Sequence, residues 1–419
     1  MAKHPPQHGT PATRSEEQDL VAGAAALLQR SGESTTVTLA AVDRMNRGLG
    51  TGFELITAWT AVTVTDHGRE VRVLSAAPTG ISMRAVAVLM KTVDALGDRV
   101  GGRRELAAAL TEAGRVRPAN FWLFVLACAT GSAALAIIFG AEDATAVLLA
   151  AGSAALGGVV RRLLVRAHVG PVGQVFAAAF LAGIIGGLAV QADLSSALRL
   201  IAVCPAMVLV PGPHILNGAL DLISLRIPLG FARLGYAALL LLAIGTGLAL
   251  ALALSGTDLP TNPPGRTVPF WLDFVAAGVA AASYPVYFSM PYRLIVWPVV
   301  VGALAHGIRW WAMTVWGWDI AVGAFLACVF VGAVLAPVAH RFHIPFAGIG
   351  FAAVVSLVPG VFVFRAVDAL GSLPFGGAVP QLLGAISDGT TAVLIVMAMA
   401  AGLIIPMQIY ALFTRTLRL

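Results

Sequence analysis

Two proline–glycine motifs inside long apolar runs are the segments of this sequence best suited to form a binding site. Val210-Pro211-Gly212 lies in one run, and Val358-Pro359-Gly360 lies in another, 148 residues further along the chain. Proline removes an amide donor and clashes with the preceding helical turn, so a regular helix cannot continue through either motif. In a bilayer, backbone groups freed in this way must face protein or a wet cavity. The motifs therefore predict two interrupted helices whose exposed backbone contacts a substrate.

Three polar residues follow the first motif at helical spacing. His214 comes directly after Pro213, and Asn217 and Asp221 lie one turn apart on the same face of the expected helix. A carboxylate inside an apolar span costs about 2.5 to 3.5 kcal/mol on insertion scales, so Asp221 is expected to face a cavity or a partner. Asp221 and His214 are candidate proton carriers. The alternatives are an interfacial aspartate next to Arg226 and a neutral, hydrogen-bonded histidine.

The second motif is followed by an acid at nearly the same distance. Seven residues separate Asp368 from Gly360, and eight separate Asp221 from Gly212. Asp368 is a third candidate for proton coupling, and a loop position beside Arg365 is the alternative. The predicted substrate-binding residues are Pro211, Gly212, His214, Asn217, Asp221, Pro359 and Gly360, and the predicted proton-coupling residues are Asp221, Asp368 and His214.

The composition indicates that these motifs lie in a membrane protein. Hydrophobic residues make up 58% of the 419 residues and charged residues 11%, whereas soluble domains have about 25% charged residues. The mean hydropathy is +0.86. Of the 27 lysines and arginines, 14 lie in residues 1–118, and the 13 that follow are all arginine. The chain therefore divides near Pro118 into a charged part and a lipid-adapted part.

The charged part has the pattern of a small α/β domain, residues 16–118, after a disordered tail of residues 1–15. Helical patterns occur near residues 16–30, 35–49, 82–96 and 103–112. Residues 53–65 and 70–74 alternate as two strands, which predicts one hairpin around the turn at Asp66-His67-Gly68. The first twenty residues lack the apolar core of a signal peptide, so the domain is expected to lie in the cytoplasm.

Ser31, Asp43 and His67 are the residue types of a hydrolase triad, but no GxSxG elbow surrounds a serine in this domain. We favour capping and turn roles for them. The three cysteines, Cys128, Cys204 and Cys328, lie in apolar runs without metal-ligand spacing and are expected to pack as small hydrophobic residues. Neither an enzyme active site nor a metal site is predicted.

The lipid-adapted part contains ten apolar stretches of about 20 residues, each long enough to cross a bilayer. They lie near residues 119–140, 144–163, 172–190, 197–217, 231–254, 270–289, 293–311, 319–338, 346–365 and 385–412. Most arginines between them fall on one side, which places both termini in the cytoplasm by the positive-inside rule. Asp388 enters the tenth stretch, where we expect it to cap the helix.

Ten spans divide into two sets of five, residues 119–256 and 270–419, joined by a loop at residues 257–269. The recurrence of the Val-Pro-Gly motif at a shift of about 148 residues supports an internal duplication. Because five is odd, two copies in the same chain order cross the membrane in opposite senses. The predicted fold is therefore mainly α: about ten transmembrane helices as an inverted 5+5 repeat, preceded by a small cytoplasmic α/β domain.

The sequence contains no P-loop motif for ATP binding that could supply the energy for transport. A P-loop needs Gly-Lys followed by Ser or Thr, and the only lysines, Lys3 and Lys91, do not follow glycine. An ion gradient, most simply of protons, is the remaining economical source.

Two segments together resemble the threonine/serine exporter family. They are residues 27–35 (LLQRSGEST), followed by Leu49-Gly50, and residues 211–222 (PGPHILNGALDL), followed by Gly230. The resemblance covers essentially the whole chain from about Leu20 onward. It implies a cytoplasmic N-terminal domain and ten spans in a bacterial inner membrane, with proton-driven export of threonine and serine. Some split members of the family are associated with dicarboxylates such as succinate.

These observations predict a secondary transporter that exports threonine and serine in exchange for protons, with Asn217 and the Pro211-Gly212 backbone on the substrate head group. Two alternatives are a dicarboxylate exporter and a membrane sensor in which the cytoplasmic domain reads a ligand. The expected partners are these amino acids, protons and the lipid bilayer. The interpretation is compatible with a homo-oligomer, and it requires neither a cofactor nor nucleic acid.

Overall fold

The structure is a computed structural model that describes residues 11–141, 143–194, 198–257, 268–372 and 379–416. The described N-terminal part contains four helices and three strands: α1 Pro11–Arg30, α2 Thr35–Leu49, β1 Phe53–Thr57, β2 Ala61–Asp66, β3 Arg69–Ser75, α3 Met83–Gly97 and α4 Arg103–Gly114. The helices of the apolar part are α5 Phe121–Ile138, α6 Ala144–Arg166, α7 Pro171–Gln191, α8 Leu198–Met207, α9 Gly212–Ile223, α10 Ile227–Leu254, α11 Phe270–Tyr287, α12 Val296–Thr314, α13 Ile320–Phe342, α14 Phe346–Val354, α15 Gly360–Ser372 and α16 Val379–Thr416.

The three strands form an antiparallel sheet in the order β1-β2-β3, with two hairpins instead of the one predicted. The run predicted as one strand over 53–65 is interrupted because Ala58 donates its amide to the carbonyl of Ala61 at 2.9 Å, which closes a turn. The predicted turn at Asp66-His67-Gly68 is confirmed. His67 and Gly68 both have positive φ, 50° and 76°, as a two-residue hairpin turn of this hand requires.

Helices α1 to α4 pack on the sheet and on one another around a core that includes Leu28, Met45 and Leu89. Helix α1 begins at Pro11, so residues 11–15, predicted to belong to a disordered tail, are helical. A proline suits the first turn of a helix, and Arg14 holds that turn on the sheet through two 2.8 Å hydrogen bonds to Asp66. Residues 1–10 of the predicted tail lie outside the described residues.

Helices are present at all ten places where spans were predicted. In the described part of the chain, seven helices are long and apolar enough to cross a membrane, or nine if each of two bent helix pairs forms one span. Helix α11 is not among them, because Asp273 and the polar Ser283–Tyr287 segment lower its hydropathy. Outward-facing side chains such as Leu148 and Met397 are apolar and over 60% exposed, as expected for surfaces that face lipid.

The helix contacts of the first set, α5 to α10, recur in the second set, α11 to α16. Contacts of α7 with α10, α5 with α6 and α6 with α8 correspond to contacts of α13 with α16, α11 with α12 and α12 with α14. The contacts between the sets are reciprocal: α9 touches α14 and α16, and α15 touches α8 and α10. This pattern supports the predicted duplication.

Equivalent glycines bring equivalent helices together. A Cβ on Gly247 would lie 2.6 Å from the carbonyl oxygen of Phe176, and a Cβ on Gly402 would lie 2.6 Å from that of Phe325. Phe176 and Phe325 are 149 residues apart and Gly247 and Gly402 are 155 apart, compared with the shift of 148 between the Val-Pro-Gly motifs. Only glycine allows the two backbones to approach so closely, so both sets use the same packing between their third and fifth spans.

Both predicted helix interruptions are present. The axes of α8 and α9 differ by 50°, and those of α14 and α15 by 73° after a short 3-10 turn at Val355–Leu357. The second break is therefore the sharper of the two. Helix α16 begins at Val379, so Asp388 lies inside a helix and not at its N-cap as predicted.

Candidate functional site

The two interrupted helices pack directly against each other. A Cβ on Gly212 would lie 1.8 Å from Cε2 of Phe351 in α14, and a Cβ on Gly360 would lie 2.6 Å from Cγ of Met207 in α8. Each break therefore receives a side chain from the other set, and only glycine leaves room for it. Two motifs that are 148 residues apart in the sequence meet at the centre of the apolar part.

The freed backbone at the first break is bonded across the two sets. The hydroxyl of Tyr284 in α11 donates to the carbonyl oxygen of Met207 at 3.2 Å. Tyr284 is 1% exposed, and its ring lies 5.5 Å from the ring of Phe351. Pro211 cannot donate to this carbonyl, which accepts instead from the amide of Val210 at 3.3 Å and from Tyr284.

A cavity of about 50 Å³ lies between the breaks. Its lining side chains are apolar: Val210, Gly212, Ile215, Leu216, Phe351, Val354, Val358, Pro359, Val396, Met399, Ala400 and Leu403. The cavity has room for water and is bounded by apolar groups from both helix breaks, Val210 and Gly212 at the first and Val358 and Pro359 at the second.

A buried group of charged and polar side chains lies on α9 and α10, beyond the first break. Oδ2 of Asp221 is 2.9 Å from Nε of Arg233, and its Oδ1 is 3.4 Å from Nη1 of Arg226. Asp221 and Arg233 are 1% and 0% exposed. The sequence analysis placed Arg226 beside Asp221 but used Arg233 only to assign orientation. An arginine inside an apolar run was the available sequence signal for Arg233.

The N-terminal domain covers this group with the loop that joins α1 to α2. Nδ2 of Asn217 donates to the carbonyl oxygen of Gly32 at 3.0 Å, and Arg233 reaches Oγ1 of Thr35 at 3.4 Å. Arg226 donates to Oγ1 of Thr36 at 3.0 Å. The loop contains the Ser-Gly-Glu-Ser-Thr stretch, residues 31–35, so the two most distinctive segments of the sequence face each other across the domain boundary.

Glu33 lies at the centre of the docked loop. It is 4% exposed, and its Oε1 accepts a 2.7 Å hydrogen bond from the amide of Ser34. Burial raises the pKa of Glu33 to about 7, against the opposing effects of that hydrogen bond and of the positive charge on Arg233. The carboxyl is therefore close to half-protonated at neutral pH.

Four buried polar atoms of this group have no hydrogen-bond partner among the described residues: Nε and Nη1 of Arg233, Oδ2 of Asp221 and Oδ1 of Asn217. Nε and Oδ2 lie 2.9 Å apart as an ion pair, which leaves Nη1 of Arg233, a charged donor, and Oδ1 of Asn217, an acceptor. Nε of Arg233 is near Asp221, but the two are not aligned as a hydrogen bond. An unpaired buried donor or acceptor costs about 1 to 3 kcal/mol, so these atoms are suited to pair with a ligand.

His214 was predicted to contact substrate or to carry a proton. It is 7% exposed, and its ring packs edge-on against Tyr236 at 5.2 Å. The ring of Trp59, from the turn between β1 and β2, lies 5.1 Å from the ring of Tyr236. His214 therefore belongs to the aromatic contact between the two domains and lies one turn from Asn217.

The second set has a different arrangement beyond its break. Nε of Arg365 in α15 lies 3.0 Å from Oδ2 of Asp388 in α16, an ion pair that the sequence analysis did not predict. Arg365 is in a helix and not in a loop. Asp368 also lies in α15, but its side chain is outside the described part of the structure.

A second buried polar chain lies in the second set, and the sequence analysis missed it. Nε2 of His306 is 3.0 Å from Oδ2 of Asp273, and Nδ1 of His306 is 3.0 Å from Oγ of Ser356. The three residues come from α11, α12 and the 3-10 turn that precedes the second break. A histidine and an aspartate inside apolar helices were the available signal.

Two family models match this chain. Residues 19–255 match ThrE, a threonine/serine exporter model, and residues 273–409 match a second model described as threonine/serine exporter, ThrE. The first match extends from α1 to the end of α10, and the second from α11 into α16. No solved structure matches the chain.

Proposed function

Because this chain belongs to the threonine/serine exporter family, we propose that it exports threonine and serine from the cytoplasm in exchange for protons. The observation that carries the proposal is the pair of unpartnered buried atoms, Nη1 of Arg233 and Oδ1 of Asn217. An amino acid presents one carboxylate and one ammonium group at neutral pH. The charged donor suits the carboxylate, and the acceptor suits the ammonium.

Asp221 supplies the charge that makes this site selective for amino acids. Its carboxylate lies against Arg233 and beside Asn217 on the same face of α9, so it adds a negative charge near the ammonium position. A dicarboxylate would place a second negative charge there and would be repelled. This argument favours threonine and serine over succinate.

The same carboxylate supplies a simple means of exchange. Asp221 holds either the substrate ammonium or a proton, because one carboxylate cannot pair fully with both. Substrate binding from the cytoplasm releases the proton, and a proton from the outside replaces the released substrate. Proton entry and amino-acid export are thereby linked at one residue.

Alternating access follows from the duplicated architecture. Ten crossings in two sets of five run in opposite senses, and the two breaks that pack together are the contact across which the sets rock. The docked loop at residues 31–35 covers the cytoplasmic side of the site, so the N-terminal domain must move before substrate enters. Both termini lie in the cytoplasm of a cell with an inner membrane.

The test is counterflow of labelled threonine in proteoliposomes, with serine and succinate as competitors. We expect Arg233→Lys and Asn217→Leu to weaken apparent threonine affinity about ten- to a hundredfold, which is the loss of one hydrogen bond to a charged group. Asp221→Asn is expected to abolish proton-coupled export and to leave membrane insertion intact.

Arg162→Lys is the matched control, because Arg162 lies in α6, donates to the carbonyl of Ala119 and is not in the site. Its affinity for threonine should equal that of the unaltered protein. Absence of threonine and serine counterflow in the unaltered protein would refute the exporter proposal. Unchanged threonine affinity in Arg233→Lys would refute the proposed head-group site without refuting the exporter proposal.

A further inference from the structure

The side chains of Asp273, His306 and Ser356, called here the His306 triad, are all buried. The three residues are 6%, 3% and 2% exposed, and the helices that carry them are apolar. Ionisable groups inside a membrane protein are costly, and they mark ion or proton pathways more often than packing sites. These three side chains take part neither in the proposed substrate recognition at Asn217 nor in the proposed exchange at Asp221.

The charged groups around His306 are few. Asp273 faces it from α11, and Arg309, one turn along α12, acts electrostatically on both His306 and Asp273. Arg309 packs against Gly323 of α13 and has an Nε without a partner among the described residues. Cys328 of α13 lies near Arg309. Among the described residues, one negative group, Asp273, and one positive group, Arg309, therefore act on the His306 imidazole.

We propose that Asp273, His306 and Ser356 form a proton-binding site whose occupancy controls the second helix break. The inference rests on the proposed function and adds a second proton-dependent step to it. Under the orientation proposed above, α11 begins and α12 ends at the external side, so a proton reaches Asp273 and His306 from outside.

The chemistry at this site is the binding of one proton to one ring nitrogen. In the neutral imidazole, Nε2–H donates to Asp273, and Nδ1 accepts a hydrogen bond from the Ser356 hydroxyl. When Nδ1 takes up a proton, both ring nitrogens become donors. Ser356 Oγ must then accept from Nδ1–H, so the hydrogen bond reverses, and no covalent bond other than N–H forms.

The reversal acts on the break because of where Ser356 lies. It is the middle residue of the 3-10 turn Val355–Leu357 and is followed by Val358 and Pro359. Once its hydroxyl accepts from His306, its own proton needs a new acceptor. The carbonyl of Ala352, four residues earlier, is the usual one for a helical serine. Protonation therefore changes the hydrogen bonds of the turn that joins α14 to α15.

Two transport assays separate this role from substrate binding. Net efflux of labelled threonine into an acidic exterior requires the substrate-free, protonated carrier to return, whereas counterflow exchanges labelled for unlabelled threonine on the loaded carrier. With a gradient of about one pH unit, the proton concentrations on the two sides differ about tenfold. We expect His306→Gln and Ser356→Ala to lower efflux driven by this gradient by about the same factor and to leave counterflow at the level of the unaltered protein. Their efflux should also lose its dependence on external pH.

Ser283→Ala is the matched control, because Ser283 is a buried serine of α11 that donates to the carbonyl of Val279, a hydrogen bond that involves none of Asp273, His306 and Ser356. It should retain both activities. Full pH-driven efflux in His306→Gln and Ser356→Ala would overturn the proton site, and so would loss of both activities in both variants. Failure of counterflow in the unaltered protein would instead refute the exporter proposal.

Discussion

At the scale of single residues, two glycines and two charges determine how the centre of the molecule is built. Gly212 and Gly360 let a side chain of one set lie on the backbone of the other. Asp221 and Arg233 form a buried ion pair, which is costly to bury and strongly destabilising to break on one side. The glycines therefore allow the two helix breaks to pack together, and the ion pair holds a buried charge of each sign beyond the first break.

Gly212→Ala is expected to destabilise the protein by about 1 to 3 kcal/mol, because the new methyl group overlaps the Phe351 ring. Thermal unfolding in detergent measures the loss, and Phe351→Leu in the same chain should restore part of it. Gly235→Ala is the control, since nothing lies within 4 Å of its added Cβ. Gly212→Ala that unfolds like the unaltered protein would contradict the packing of the two breaks.

At the scale of elements, the N-terminal domain is held on the membrane helices by the backbone as well as by side chains. The amides of Met83 and Arg84, in the first turn of α3, donate to the carbonyls of Phe288 and Ser289 at 2.9 and 3.2 Å. First-turn amides have no partner inside their own helix, so these two are protected only while the domain is docked. Their exchange with solvent reports docking.

Docking is expected to weaken as the pH rises. The pKa of Glu33 is about 7 in the docked state because of burial, against 4.5 for an exposed carboxyl. A pKa raised by docking means that the docked state is fully favoured below pH 4.5 and loses this advantage as the pH rises through about 7. An alkaline cytoplasm would therefore favour release of the loop.

Amide exchange at Met83 and Arg84, corrected for its intrinsic pH dependence, is expected to be faster at pH 8 than at pH 6, values that bracket the pKa of about 7. Glu33→Gln should remain docked and lose this pH dependence. Glu54→Gln, which alters an exposed carboxyl on β1, should retain it. Identical pH profiles for Glu33→Gln and the unaltered protein would exclude Glu33 as the titrating group.

At the scale of the whole molecule, the repeated contacts of α5–α10 and α11–α16 support two copies of one five-span unit. Equivalent positions in the two copies must then lie on opposite sides of the membrane. Gly170 precedes α7, and Trp316 shortly precedes α13, the corresponding helix of the second copy. The arginines at the end of α6 place Gly170 inside.

In a chain whose three native cysteines are replaced, Gly170→Cys is expected to react with a membrane-impermeant maleimide only from the cytoplasmic side. Trp316→Cys, at a half-exposed position, should react only from the external side. Leu225→Cys, beside the docked domain, serves as a second cytoplasmic marker. Labelling of Gly170→Cys and Trp316→Cys from the same side would contradict the inverted repeat.

The sequence by itself determined the features that depend on neighbouring residues. The turn at His67-Gly68, the division near Pro118 and the interruptions at Pro211 and Pro359 follow from local backbone chemistry and local hydropathy. A duplication was also indicated by the sequence, because the Val-Pro-Gly motif recurs at a shift of 148 residues. These features need no knowledge of what packs against them.

Only the tertiary structure decided which polar groups meet. Asn217 bonds Gly32 from 185 residues away, and His306 joins Asp273 and Ser356 across 33 and 50 residues. Such pairs depend on helix crossings that the packing of the whole chain sets, and so does the sharper bend at the second break. A sequence specifies each donor and acceptor, but burial in the folded protein selects its partner, because only there does an unpaired polar group become costly.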